Sequence, residues 1–125
     1  MQLDEADADR RRLRLLLPPD ADAPAAARRA LRDLPLGDHA DDVLLLASEL
    51  VTNAVLHAGL EPDQPIELAA ACADGRLRVE VRDHGHGFAP DRAKEGYGLH
   101  AVAAVTEHWG IQQDGDTCVW FEVAR

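Results

Sequence analysis

Glu49 and Asn53 are four residues apart within E-L-V-T-N-A-V-L-H-A (Glu49–Ala58), a spacing that puts both side chains on one helix face, one turn apart. Further along, V-R-D-H-G-H-G-F (Val81–Phe88) reads as a strand ending in Asp83, followed by glycines at alternate positions, Gly85 and Gly87. Gly96-Tyr97-Gly98-Leu99 then opens another helix. These residue types suit a particular chemistry. An amide oxygen suits Mg²⁺, a hard cation that keeps several waters and takes a few protein ligands plus phosphate oxygens. A carboxylate one turn away can act as general base towards a phosphoryl transfer. An ionised Asp only accepts hydrogen bonds, so Asp83 suits the exocyclic amine of adenine and repels the carbonyl of guanine. Gly85 and Gly87 let backbone approach a ligand closely, and a helix start offers free N–H groups to phosphate. The combination suggests a site for Mg-ATP.

Each piece has a plainer use. A carboxylate and an amide on a buried helix can bond to backbone or water, an Asp often begins a turn, and glycine turns are common. The three segments together, in this order, argue for the site where one alone would not.

The elements that must hold these residues are legible in the pattern. Arg10–Leu17 alternates as a short strand and is stopped by Pro18-Pro19. Ala21–Leu34 is an Ala- and Arg-rich helix with Pro24 in its first turn. A second helix is expected from Asp38, as its cap, to His57, and Gly59 suits its C-terminal end. Apolar residues cover most of its circumference, so it must be largely buried, with Glu49 and Asn53 as polar exceptions. Pro65–Ala73 and Arg76–Asp83 form a hairpin across Asp74-Gly75. Leu99–Glu107 reads as a short helix, and Trp109–Gln113 with Thr117–Val123 as a closing hairpin. The expected fold class is α+β, a two-layer sandwich with helices on one face of a mixed, mostly antiparallel sheet.

At 125 residues, the chain has room for one core: a loose acidic tail over 1–9 and a single domain over 10–125. Aromatics make up 4%, so Leu, Val and Ala must fill that core. A net charge of −10 argues against nucleic-acid binding through phosphate neutralisation, though Arg10, Arg11, Arg12 and Arg14 cluster locally. No apolar run reaches the roughly 20 residues of a membrane helix. Cys72 and Cys118 read as reduced and buried, and the expected location is cytoplasmic.

From Leu13 to Val123 the chain resembles the GHKL ATPases, the superfamily of gyrase, heat-shock-chaperone and histidine-kinase nucleotide-binding domains. Within it, the chain is most similar to the small single-domain anti-sigma-factor serine kinases. Glu49-Leu-Val-Thr-Asn53-Ala-Val-Leu-His57 looks like the asparagine box, Asp83-His-Gly85-His-Gly87 the first glycine box, and Gly96-Tyr-Gly98-Leu99 the second. The resemblance implies the Bergerat fold, with Glu49 as proton acceptor, Asn53 as magnesium ligand and Asp83 as reader of adenine. It also implies that Gly85, Gly87, Gly96, Gly98 and Leu99 line the phosphates and that Thr117 backs the base. Two features depart from the pattern. Tyr97 stands where many relatives carry Arg, and the loop from Ala89 to Glu95 is short, with Lys94 as its one lysine.

The function implied is that of an ATP-dependent serine/threonine protein kinase acting as an anti-sigma factor. Its partners would be a sigma factor, which it sequesters, and a small anti-anti-sigma protein, which it phosphorylates; no nucleic acid or membrane is involved, and a homodimer is left open. The alternative is a non-catalytic ATP-binding module in which nucleotide sets the shape of a partner-binding face. The segment before Glu49 is too short for the dimerisation hairpin of a sensor histidine kinase.

Overall fold

The computed structural model describes residues 10–85 and 106–125. Strand β1 (Arg11–Leu17) leads into helix α1 (Ala23–Leu31), a 3₁₀ turn at Gly37–His39 and helix α2 (Ala40–His57). Four strands complete the described chain: β2 (Ile66–Ala73), β3 (Arg76–Asp83), β4 (His108–Asp114) and β5 (Asp116–Ala124). They form one five-stranded sheet in the order β1-β2-β3-β5-β4, and every pairing is antiparallel. The fold is therefore α+β, as expected. Among the described residues, no helix is long and apolar enough to cross a membrane.

The two helices differ from their expected bounds at the ends. α1 is shorter than Ala21–Leu34 because the N–H groups of Asp33 and Leu34 reach back only three residues, to the carbonyls of Ala30 and Leu31, tightening the last turn. Asp38 does not cap α2: it lies inside the 3₁₀ turn, and the capping position falls on His39 without a side-chain hydrogen bond. At the other end Ala58 caps the helix and Gly59, at φ 67°, turns the chain away. The helix beginning at Leu99 falls largely outside the described residues.

Alternation decides what each strand contributes. In β2 the side chains of Ile66, Leu68, Ala70 and Cys72 are buried, and the residues between them are partly exposed. β3 follows the same period of two, as does β5 apart from the buried Cys118, and their inward rows pair as Leu77 with Val123, Val79 with Phe121, and Val81 with Val119. Against this floor lie Ala23, Ala27 and Leu31 of α1 and Val43, Leu46, Leu50 and Val51 of α2, all buried in one core. The Asp74-Gly75 turn, with both residues at positive φ, sets the β2–β3 register as the hairpin motif requires. Cys72 and Cys118 are free and buried.

Phe121 is fully buried and is the largest of the core side chains. Phe121→Ala should cost about 3–5 kcal/mol of stability, the usual range for an aromatic deleted from a packed core. Leu16 is 60% exposed on the edge strand, and Leu16→Ala should cost less than about 1 kcal/mol. Urea denaturation of the two variants checks both expectations, and equal losses would mean that the core is not where the alternation puts it.

Candidate functional site

The inward row of β3 runs Leu77, Val79, Val81 and then Asp83; that of β5 runs Val123, Phe121, Val119 and then Thr117. The last pair in an apolar ladder is thus a carboxylate opposite a hydroxyl. Both are buried, Asp83 to 7% exposure and Thr117 to 4%. Directly opposed residues of an antiparallel pair have neighbouring side chains on the same face. The register therefore brings together two residues far apart in sequence at one end of the core.

A buried carboxylate is costly unless it finds donors. One donor to Asp83 is the backbone N–H of Gly85, 2.9 Å from Oδ1. Burial raises the pKa of Asp83 above its usual value; the Gly85 N–H and nearby His84 pull it down less, and Asp116 adds to the rise. An ionised carboxylate accepts about four hydrogen bonds, so Asp83 has acceptor capacity left for a ligand amine.

Gly85 is required here by space. A Cβ built on it would lie 2.1 Å from the carbonyl oxygen of Ala58 and 2.7 Å from the Ala58 Cβ. The turn after β3 is therefore pressed against Ala58, the C-cap of α2, the helix that carries Glu49 and Asn53. Asn53 is buried, Glu49 is half-buried, and the two stand one helical turn apart. Asn53 provides an amide oxygen of the kind Mg²⁺ accepts. His57, at the helix end, is exposed.

Of the residues singled out in the sequence, Asp83, Gly85 and Thr117 converge at the β3–β5 end, and Asn53 and Glu49 lie on the helix that abuts it. Gly87, Gly96, Gly98 and Leu99 lie outside the described residues. One neighbouring pair escaped sequence reasoning. Nδ1 of His84 is hydrogen-bonded to a carboxylate oxygen of Asp116, and Nη1 of Arg82 stands 3.8 Å from the other oxygen. The one available signal was the strand register: pairing Asp83 with Thr117 places residue 84 beside residue 116.

The family model for the histidine kinase-like ATPase domain matches residues 17–123. No curated protein matches the chain. Among solved structures, the chain is similar to the crystal structure of the RsbU and RsbW domains of Rv1364c from Mycobacterium tuberculosis, with a TM-score of 0.69 and 27% sequence identity. That match covers 91% of this chain and 32% of the other, so the chain spans about a third of that relative.

Two outcomes follow from this geometry. Gly85→Ala should destabilise the fold by about 1–3 kcal/mol, because the methyl group would push against backbone that cannot retreat without moving α2. Chemical denaturation measures it, and an unchanged midpoint would show that the turn can lift away freely. Asp83→Asn should be more stable than the wild type at neutral pH, since it removes a charge that burial disfavours. The sign follows from the raised pKa. The folded state holds the proton more tightly than the unfolded one, so wild-type stability falls as pH climbs from the ordinary value of 3.8 through the folded value. The advantage of Asp83→Asn should therefore shrink on acidification. Denaturation curves from pH 4 to 7 test it, and a difference that does not vary with pH would refute it.

Proposed function

The chain belongs to the histidine kinase-like ATPase family, and from that premise we propose that it is an ATP-dependent serine/threonine protein kinase that acts as an anti-sigma factor in the cytoplasm. It phosphorylates a small anti-anti-sigma protein and sequesters a sigma factor. The observation that carries the reading is the buried Asp83–Thr117 pair, a polar couple with acceptor capacity to spare at the end of an apolar ladder.

The roles follow from the chemistry of each residue. Asp83 accepts from the adenine amine, which offsets the cost of burying its charge, and Thr117 backs the base from the facing strand. Gly85 keeps the chain thin where the nucleotide enters. Asn53 offers its amide oxygen to Mg²⁺. When bound, the ion neutralises phosphate charge and orients the triphosphate. Glu49, half-buried one turn before Asn53, takes the proton of the attacking serine or threonine hydroxyl. Gly87, Gly96, Gly98 and Leu99 complete the phosphate side by their motif positions. The motif resemblance to single-domain anti-sigma-factor kinases supports the choice of partners, and the similarity to a structure containing an RsbW domain agrees with it.

Calorimetry with ATP, ADP and GTP in the presence of Mg²⁺ is the first test. Adenine nucleotides should bind and GTP should not, and Asp83→Asn should weaken ADP binding by about 1–3 kcal/mol, as expected for a charge-assisted hydrogen bond. Glu49→Ala should keep ADP affinity near that of the wild type and abolish radiolabel transfer to an anti-anti-sigma protein, because a base acts in the transition state. Wild-type binding without any transfer would favour the non-catalytic module. Equal affinity for GTP would remove the role given to Asp83.

A further inference from the structure

The turn that presents Asp83 is held at three points, and two of them belong to the site already described. The Gly85 N–H bonds to Oδ1 of Asp83, and the Gly85 backbone rests on the Ala58 carbonyl at the end of α2. The third point lies on the opposite face of the sheet. His84, about half-exposed, is hydrogen-bonded through Nδ1 to Asp116, the residue that opens β5 immediately before Thr117. Asp116 is also approached by Arg82, which shares the outward face of β3 with Glu80 and Arg78. The neighbouring charged groups on this face are Glu67 of β2 and Arg14 of β1, paired with each other at 2.9 Å.

We propose that the His84–Asp116 bridge is a positioning clamp for the adenine pocket: it ties the residue after Asp83 to the residue before Thr117, and so fixes the separation and orientation of the two groups that meet the base. The inference rests on the reading of Asp83 and Thr117 as the base-binding pair. Its physical basis is the sheet's edge geometry. The β3–β5 ladder ends at the Asp83–Thr117 pair, so beyond it no backbone pairing holds the strands together. Terminal pairs of a ladder fray most readily. A side-chain bond placed one residue past the last pair closes that end, at the position where the ligand groups need a fixed spacing. The bridge lies on the outward side of the sheet, opposite the face into which Asp83 and Thr117 are buried.

The clamp also bears on the charge of Asp83. A protonated His84 favours the ionised carboxylate, and Asp116 opposes it. Geometry and charge can be separated by substitution. His84→Leu removes the donor and the charge, Asp116→Ala removes the acceptor, and His84→Asn keeps a donor near the place of Nδ1 without the charge.

The experiment reads the ligand-free protein first. Amide exchange at Gly85 should be faster in His84→Leu and in Asp116→Ala than in the wild type, and should return towards the wild-type rate in His84→Asn. The ¹³Cγ titration of Asp83 should move up in His84→Leu and down in Asp116→Ala. Because both substitutions sit on a partly exposed surface pair, thermal midpoints should change little. Calorimetry with ADP should then show affinity about fivefold weaker in His84→Leu and Asp116→Ala, the worth of one net hydrogen bond, with recovery in His84→Asn. The double variant His84→Leu/Asp116→Ala should be no weaker than either single one. Unchanged Gly85 exchange in both single variants overturns the clamp, as does a failure of His84→Asn to restore it. If the wild type binds no adenine nucleotide, the proposed function falls, and the exchange and titration data decide the clamp on their own.

Discussion

The pairing of β3 with β5 is the constraint on which the rest of the molecule depends. Its register sets Leu77 against Val123, Val79 against Phe121, Val81 against Val119 and Asp83 against Thr117. Because strand side chains alternate with a period of two, a slip of one residue would turn all four pairs out of the core at once. The same slip would bury the outward row, Arg76, Arg78, Glu80 and Arg82, which has no counterpart in the core to satisfy its charges. Three apolar pairs therefore hold in place a fourth pair that could not hold itself. The cost of the buried carboxylate is carried by the burial of its neighbours, and the site inherits its position from the core.

The helix that supplies Glu49 and Asn53 depends on the same ladder from the other side. α2 buries Val43, Leu46, Ala47, Leu50, Val51 and Ala54 in the core, the three- and four-residue spacing of a helix with one face turned inward. Its end is defined by Gly59 in the left-handed region, and its last carbonyls meet the turn after Asp83 at Gly85. Helix end and strand end are thus in direct contact through the one residue with no side chain. A residue without a Cβ is what lets the two ends approach so closely.

Much of this was legible in the sequence, for definite reasons. The bounds of β3 and its hairpin with β2 followed from strict alternation and from Asp74-Gly75, whose backbone does adopt the positive φ values the turn demands. α2 was legible from its apolar periodicity and from Gly59. The ends of α1 and the cap of α2 were not. Arg32, Asp33 and Leu34 continue a helix-compatible composition, while the chain tightens into three-residue bonds before Pro35. Asp38 has the right chemistry for a cap and the wrong backbone, being inside a 3₁₀ turn. The candidate site was proposed from the same kind of signal: Glu49, Asn53, Asp83 and Gly85 from spacing within short segments, and Thr117 from the resemblance of the closing strand. The His84–Asp116 bridge joins residues 32 apart and has no local pattern; only the register of two strands brings them together.

The two faces of the sheet show why one end of it can carry chemistry. At its middle, the outward face carries paired groups: the Arg78 guanidinium lies 4.1 Å from the Trp120 ring centroid and pairs with Glu80 and Glu122. The Trp120 ring in turn covers Gly110 so closely that a Cβ there would come within 2.8 Å of it. The inward face is filled by aliphatic pairs and helix side chains. The ladder turns polar at its last rung, where Asp83 stands opposite Thr117. There the inward carboxylate of Asp83 accepts the Gly85 backbone N–H, while His84, one residue after Asp83, and Asp116, one residue before Thr117, bond to each other on the outward side. On the proposed reading, the amine of a bound adenine would add a donor to Asp83 at that last rung.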